Sequence, residues 1–343
     1  MRQGVITSPT TFAIEEVSEP TLQSPGDIIL QTATSGICSG DLMEWYLERK
    51  VNTVLGHEVV GNAVEVGASI DHIRMGQLVF AHHHAPCMEC RFCRAGDHVQ
   101  CATWRNTRLD PGGMAEFVRV PAENVVHDAF AIDDLDPEVG VFIEPLGCSV
   151  KAVRRVVGFP MDLGVVVGCG VMGLLNLACA RALGARTLWA VEPDADRRRK
   201  AEDFAADRAF EPEELADLAQ RSPAERADFV IVGPGSAEAI LQAFDFVRDG
   251  GVVILFTPTP VGVETAIDLG RLYFRDVRIV PSYSCGPNDT REAADLLRRG
   301  AVDVEPLVTH RFALCDLQSA YDTAKRGGSV LKVLVNFDRS SLR

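Results

Sequence analysis

Four cysteines fall within fifteen residues, as Cys87-x2-Cys90-x2-Cys93-x7-Cys101. Thiolates at such spacing can surround one tetrahedral zinc ion at about 2.3 Å and leave no ligand position open. The intervening segment, PCMECRFCRAGDHVQC, is polar and has little to bury, so a metal would hold its shape. We expect a closed structural site there, with no catalytic role. A second pattern, Gly168-Cys169-Gly170-Val171-Met172-Gly173, fits G-x-G-x-x-G. Its glycines let the backbone turn tightly and approach a pyrophosphate, which free N–H groups of the next helix then bind. Glu192, at the end of the next strand, can accept both ribose hydroxyls. It would repel a 2′-phosphate, which favours NAD over NADP. The run Arg197, Arg198, Arg199 pulls the other way, since one of them, Arg197 first, could reach a phosphate. Three more segments carry groups able to bind metal or move protons: Gly36-Ile37-Cys38-Ser39-Gly40-Asp41, Gly56-His57-Glu58 and Ile143-Glu144-Pro145-Leu146. Singly each is weak, because a lone histidine is usually structural and a lone cysteine often packs as a hydrophobe.

The elements around these residues fall into three passages. Up to about residue 150 the chain has short Val-, Ile- and Gly-rich runs separated by turn residues. Runs at 27–31, 58–66, 76–80 and 115–120 predict a mainly β domain. From Leu163 strand and helix alternate. Strands are expected at 163–168, 187–191, 228–232 and 252–256, with helices at 171–183, 195–204 and 237–247. That alternation predicts a doubly wound parallel sheet. The tail predicts helices at 290–299 and 317–326 and a closing strand at 330–337. We expect it to rejoin the first domain. The resulting division is 1–150 with 285–343, containing a zinc lobe at about 85–103, and 151–284 as the dinucleotide-binding domain.

The chain has 343 residues, 47% hydrophobic and 24% charged, which fits a two-domain globular protein. A formal net charge of -14 argues against nucleic acid or an anionic membrane as partner. No run reaches the ~18 to 20 apolar residues of a membrane helix. The N-terminus lacks the basic start and apolar run of a signal peptide, so a cytoplasmic location is expected. The clustered cysteines fit a metal site in a reducing compartment better than a disulfide framework. Cys148, Cys169, Cys179 and Cys315 lie in apolar or helical contexts and are expected to pack.

Taken together, these segments resemble the zinc-dependent medium-chain dehydrogenase/reductase superfamily over nearly the whole chain. The resemblance rests on GICSGD, GHEVVG, the cysteine lobe, DPGGMAEFVRVP, IEPL, the glycine fingerprint and LVTHRF. Glu144 in an EPL context is similar to the polyol (sorbitol) and threonine dehydrogenase branch. The resemblance implies a GroES-like catalytic domain joined to a Rossmann domain. It implies two zinc ions per chain, one structural and one catalytic. Cys38, His57 and Glu144 would face the catalytic zinc, with Glu58 as a ligand or close neighbour, and Asp41 would orient His57. One thiolate and one carboxylate balance Zn²⁺; Glu58 as a further ligand would over-neutralise it. The implied reaction moves hydride between a secondary alcohol and nicotinamide, in a chain that is often a homotetramer or dimer.

Two stretches depart from the family pattern. The family reads Cys-Gly-Ser/Thr-Asp, whereas here the order is Cys38-Ser39-Gly40-Asp41. Ser39 is therefore the candidate relay hydroxyl, with a water or a histidine as alternatives. Sorbitol dehydrogenases carry an Arg and a Tyr after the Rossmann unit, and the matching stretch, Pro281 to Gly286, has Tyr283 but no arginine. This argues against sorbitol itself. Trp45, Tyr46, His82, His83, His84, Trp104, Arg105 and Asn106 are candidates to line the pocket. Adjacent histidines on a strand alternate faces, so at most two of the three would share a side. The expected substrate is a polyol, sugar, cyclitol or amino alcohol. The alternative is a threonine 3-dehydrogenase-like oxidation. A zinc-free reductase or a non-catalytic scaffold agrees less well with a complete ligand set.

Overall fold

The computed structural model describes residues 1–337. The chain folds as two compact units, Met1–Gly147 with the stretch from Cys285 onward, and Cys148–Ser284. The first opens with a hairpin of β1 (Arg2–Ser8) and β2 (Thr11–Glu16). There follow β3 (Ile28–Gly36), β4 (Glu58–Val66), β5 (Leu78–Ala81), β6 (Phe117–Val120) and β7 (Ala129–Ala131). The second unit carries β8 (Leu163–Val167), β9 (Thr187–Val191), β10 (Arg208–Phe210), β11 (Ala227–Val232), β12 (Val247–Leu255) and β13 (Arg278–Pro281). In the tail, β14 (Val308–Ala313) and β15 (Lys332–Asn336) return to the first unit.

In the first unit the sheet order is β14-β15-β3-β4-β5-β7, with β6 pairing β3. β3 runs antiparallel to β4 on one side and to β15 on the other. Gly36, at its end, faces Glu58 across one ladder and Leu334 across the other. This register brings the start of β4 and the start of β15 to the same edge of the unit. Three-residue β7 and four-residue β5 and β6 are short, and short helices fill the spaces between them.

In the second unit the order is β10-β9-β8-β11-β12-β13 and every pairing is parallel. Numbered within the unit this is 3-2-1-4-5-6, the doubly wound order whose winding reverses between the first and fourth strands. β11 is buried at every position and β8 at all but its first, as a sheet covered on both faces requires. The helix Val171–Ala182 leaves β8 at that switch point.

Among the elements outside the sequence expectation are, in the second unit, β10, β13 and the helices Pro212–Arg221 and Leu269–Phe274, and, in the first, the β1–β2 hairpin, β7 and β14. β10 is three residues long, too short for a periodic signal, and β13 is mostly exposed or half-buried. The closing strand begins at Lys332 rather than Val330, because the Val330 N–H closes a turn on the Gly327 carbonyl. Cys169 and Cys179 are buried as expected, whereas Cys315 is exposed in a 3-10 turn and does not pack.

Candidate active site

The four cysteines of the quartet lie close together in the fold. Sγ atoms of Cys87 and Cys93 are 4.0 Å apart, Cys90 and Cys93 3.5 Å, and Cys101 and Cys87 3.6 Å. A regular tetrahedron with ~2.3 Å Zn–S bonds has edges of about 3.8 Å, so the sulfurs already outline one. The core beneath them is only Cys93, Val99, Cys101 and Trp104. Burial and the neighbouring thiols push Cys93 up to about 12. Burial would raise Cys101 too, but backbone N–H groups of Cys87 and Trp104 outweigh it and bring it down to about 6. Four thiols this close do not ionise together without a cation among them.

The second constellation lies at the edge set by β3, β4 and β15. Cys38 caps a 3-10 turn, Ser39–Leu42, that carries Asp41 just beyond β3, and the Gly40 N–H donates to Cys38 Sγ at 3.3 Å. His57 and Glu58 sit at the start of β4. Donor atoms of Cys38, His57 and Glu58 all lie within 4.8 Å of one another. Asp41 Oδ2 is 3.4 Å from His57 Nδ1, which leaves the other ring nitrogen for a cation. Glu144, buried in the first turn of the helix Ile143–Arg154, joins a neighbouring set with His82 and His83. Ser39 is exposed, and no described hydrogen bond ties it to Cys38, His57 or Glu58.

Burial pushes the Cys38 thiol and the Glu144 carboxyl up, toward their neutral forms. Burial works against charge on His57, yet Asp41 and Cys38 hold its pKa well above 6.5. In addition, Glu58 Oε1 is buried with no hydrogen-bond partner. Thiol, imidazole and carboxylate donors crowded together, one carboxylate oxygen unsatisfied, fit a zinc-class cation, which would draw the thiol proton off.

A residue outside the sequence expectation alters the charge count. Lys332, fully buried at the start of β15, places Nζ 2.6 Å from Glu58 Oε2 and also donates to the Ile37 carbonyl at 3.3 Å. Gly36 makes this possible: a Cβ there would stand 2.1 Å from Glu58 Oε2. Counting ligands from sequence, Glu58 over-neutralises the metal. With Lys332 beside it that objection falls, because Glu58 brings its own counter-charge. The available signal was one lysine in the apolar run VLKVLVNF.

The histidine triplet also differs from expectation. β5 ends at Ala81, so His82, His83 and His84 lie beyond the strand and its alternation. His82 is fully buried with Nδ1 3.0 Å from Asp128 Oδ2, and Thr290 Oγ1 donates to Asp128 Oδ1 at 2.5 Å. Ring centroids of His83 and His57 are 4.8 Å apart. His84 turns to the cysteine lobe, over Trp104 at 4.1 Å, and its Nδ1 meets the Thr107 carbonyl. Burial and nearby positive groups bring His84 down to about 3. Trp104 and His84 are thus packing residues of the lobe. A cavity of about 780 Å³ in this unit is lined by Arg2, Thr34, Glu116, Glu138 and Arg311, and includes none of the donor residues. Among its charges Arg2 pairs with Glu116 and Arg311 with Glu138, and the exposed thiol of Cys315 also lines it.

In the second unit Gly168 adopts φ +89°, and a Cβ on Gly173 would stand 1.7 Å from the Gly168 carbonyl oxygen. A Cβ on Gly170 would meet nothing within 4 Å, so that glycine borders open space. No side chain caps the helix Val171–Ala182, so the N–H groups of Val171, Met172 and Gly173 are available to an anion. Glu192 is buried, accepting from Cys169 N at 2.8 Å and Asp194 N at 3.1 Å. That fixes its carboxylate at the fingerprint turn. Arg198 is engaged by the Glu192 and Pro193 carbonyls and by Glu211, and Arg199 pairs with Asp196. Arg197 opens the helix Ala195–Phe204, its N–H capped by Asp194.

Known proteins resemble this chain along almost its whole length. The family described as alcohol dehydrogenase GroES-like domain matches residues 24–130, and zinc-binding dehydrogenase matches residues 171–299. An L-threonine 3-dehydrogenase of Chelativorans sp. is 28% identical over 94% of this chain and 95% of that protein. An erythritol/L-threitol dehydrogenase of Mycolicibacterium smegmatis is 28% identical over 97% and 96%. A protein of Sinorhizobium meliloti described as a zinc-binding dehydrogenase, solved with NADP, is 28% identical with TM-score 0.85, over 98% and 99% of the two chains. An alcohol dehydrogenase from Thermus sp. ATN1 is 27% identical with TM-score 0.84, over 98% and 100%.

Proposed function

Because this chain belongs to the zinc-dependent medium-chain dehydrogenase/reductase superfamily, we propose that it oxidises a secondary alcohol to the ketone with NAD. It is an oxidoreductase acting on CH–OH groups and uses zinc and a nicotinamide cofactor. The substrate class is a polyol, sugar, cyclitol or amino alcohol. The observation that carries this reading is the convergence of Cys38, His57 and Glu58 donors within 4.8 Å, with Glu144 buried nearby.

Cys38, His57 and Glu144 would hold the catalytic zinc, with Glu58 exchanging onto it; Cys87, Cys90, Cys93 and Cys101 would hold the structural one. Bound there, the catalytic zinc would supply a positive charge that acidifies an alcohol and polarises a ketone. Asp41, with Oδ2 3.4 Å from His57 Nδ1, would orient the ring and select its tautomer. Lys332, 2.6 Å from Glu58 Oε2 and buried with it, anchors that carboxylate and limits its reach. Exposed Ser39, next to Cys38, is the hydroxyl through which we route the alcohol proton to solvent.

A panel of polyols, cyclitols and L-threonine, assayed with both cofactors, tests this reading. NAD-linked turnover of a polyol or cyclitol supports it. Turnover of threonine alone would favour the second reading, which rests on the threonine 3-dehydrogenase relatives. No turnover of any alcohol would overturn both.

The cofactor choice rests on Glu192 at the fingerprint turn. Glu192→Gln is expected to shift the NAD/NADP ratio of kcat/KM toward NADP by roughly tenfold, equal to ~1.4 kcal/mol. An unchanged ratio would show that Glu192 does not read the ribose.

We also propose a homo-oligomer. β13 is an edge strand, and Val261, Leu269, Tyr273 and Phe274 near it are strongly exposed, Phe274 at 87%. An apolar group of this size beside an open edge matches a second copy of the same surface. Sedimentation should give a multiple of the 37.2 kDa chain, and Phe274→Asp should move it toward monomer. A wild-type monomer would refute the assignment.

A further inference from the structure

His82 has the environment of a metal ligand, yet it belongs neither to the cysteine quartet nor to the Cys38, His57 and Glu58 group. Its Nδ1 is 3.0 Å from Asp128 Oδ2, and Asp128 is in turn held by Thr290 Oγ1. A carboxylate on one ring nitrogen is the usual way a ligating histidine is oriented and made more basic. Its Nε2 lies 3.9 Å from Glu144 Oε1 and shares a hydrogen bond of 3.6 Å with Cys285 Sγ, which a cation would replace. At 3.9 Å nitrogen and oxygen are too far apart for a hydrogen bond. Two metal–ligand bonds of about 2.0 to 2.1 Å, set at a wide angle, span that gap. His83 brings a third donor within 4.8 Å of the other two, and its Nδ1 is buried without a hydrogen bond. The tail supplies Thr290 and Cys285, so this pocket is assembled only when the distant end of the chain folds back.

We propose that His82, His83 and Glu144 form a second cation subsite beside the catalytic set, selective for zinc-class divalent ions. Imidazole donors, with a thiol adjacent, disfavour Mg²⁺ and Ca²⁺, which prefer oxygen ligands. Glu144 is common to both sets, so a cation here competes for the carboxylate that the catalytic zinc needs. Excess zinc would therefore inhibit the enzyme reversibly. The inference rests on the catalytic reading only in that shared carboxylate.

The test titrates zinc-loaded protein, freed of excess metal by gel filtration, with Zn²⁺ against a chromophoric chelator. Wild type should take up one further equivalent per chain, more weakly than those it already holds. His82→Asn and His83→Ala should weaken that uptake by at least tenfold, as loss of a ligand or its support does. His83 is only half-buried, so its variant guards against misfolding of the other. Inhibition by excess Zn²⁺ should fall in parallel, while Mg²⁺ should have no effect. No additional uptake by wild type, or unchanged uptake in both variants, overturns the proposal. Cys38→Ala reports separately: if it keeps all tightly held zinc, the catalytic reading fails while the additional equivalent is judged on the histidine variants alone.

Discussion

Lys332→Met is expected to destabilise the chain by about 3–5 kcal/mol, the usual loss when one partner of a buried ion pair is removed. Lys332 and Glu58 are both fully buried and meet at 2.6 Å. Methionine fills most of the lysine's volume, so the deficit reflects the unpaired carboxylate rather than a cavity. The double variant Glu58→Gln/Lys332→Met should recover most of the loss, because it removes both charges at once. Urea denaturation of the four forms completes the cycle. The loss should grow once metal is chelated, because zinc would otherwise share the Glu58 charge. If Lys332→Met unfolds within ~1 kcal/mol of wild type, the pair does not hold the Glu58 charge as argued.

Cys38→Ala is expected to lower kcat/KM by roughly 10³-fold or more, since the cation it helps hold supplies several kcal/mol of charge stabilisation. The chain should still fold, because Cys38 belongs neither to the cysteine quartet nor to the buried core of either sheet. Metal analysis should find two tightly held zinc ions in wild type and one in the variant. Asp41 stays beside His57 in this variant, so the result isolates the thiolate. Turnover within tenfold of wild type would place the chemistry elsewhere.

What the sequence made legible was local. The quartet Cys87 to Cys101 and the turn Gly168 to Gly173 declare themselves by spacing within a few residues. Strand–helix alternation after Leu163 was visible because both faces of the sheet are covered and its strands are continuously apolar. What was hidden was non-local. Lys332 meets Glu58 across 274 positions of chain, and Thr290 meets Asp128 across 162. No period or motif couples residues so distant. The histidine triplet was misread for another reason: the alternation of strand faces was applied one residue past the strand's end. The partners of His82 lie in the tail and in the segment near Asp128, neither of which carries a motif.

Gly36 has no side chain to donate, ligate or ionise, yet any side chain there would have to displace the Glu58 carboxylate. An alanine there would put a methyl group on the Glu58 carboxylate and force it off Lys332. Randomising the position should therefore return inactive clones as uniformly as randomising Cys38. A substitution scan of the chain would score an empty spot on a strand as though it were a reacting group.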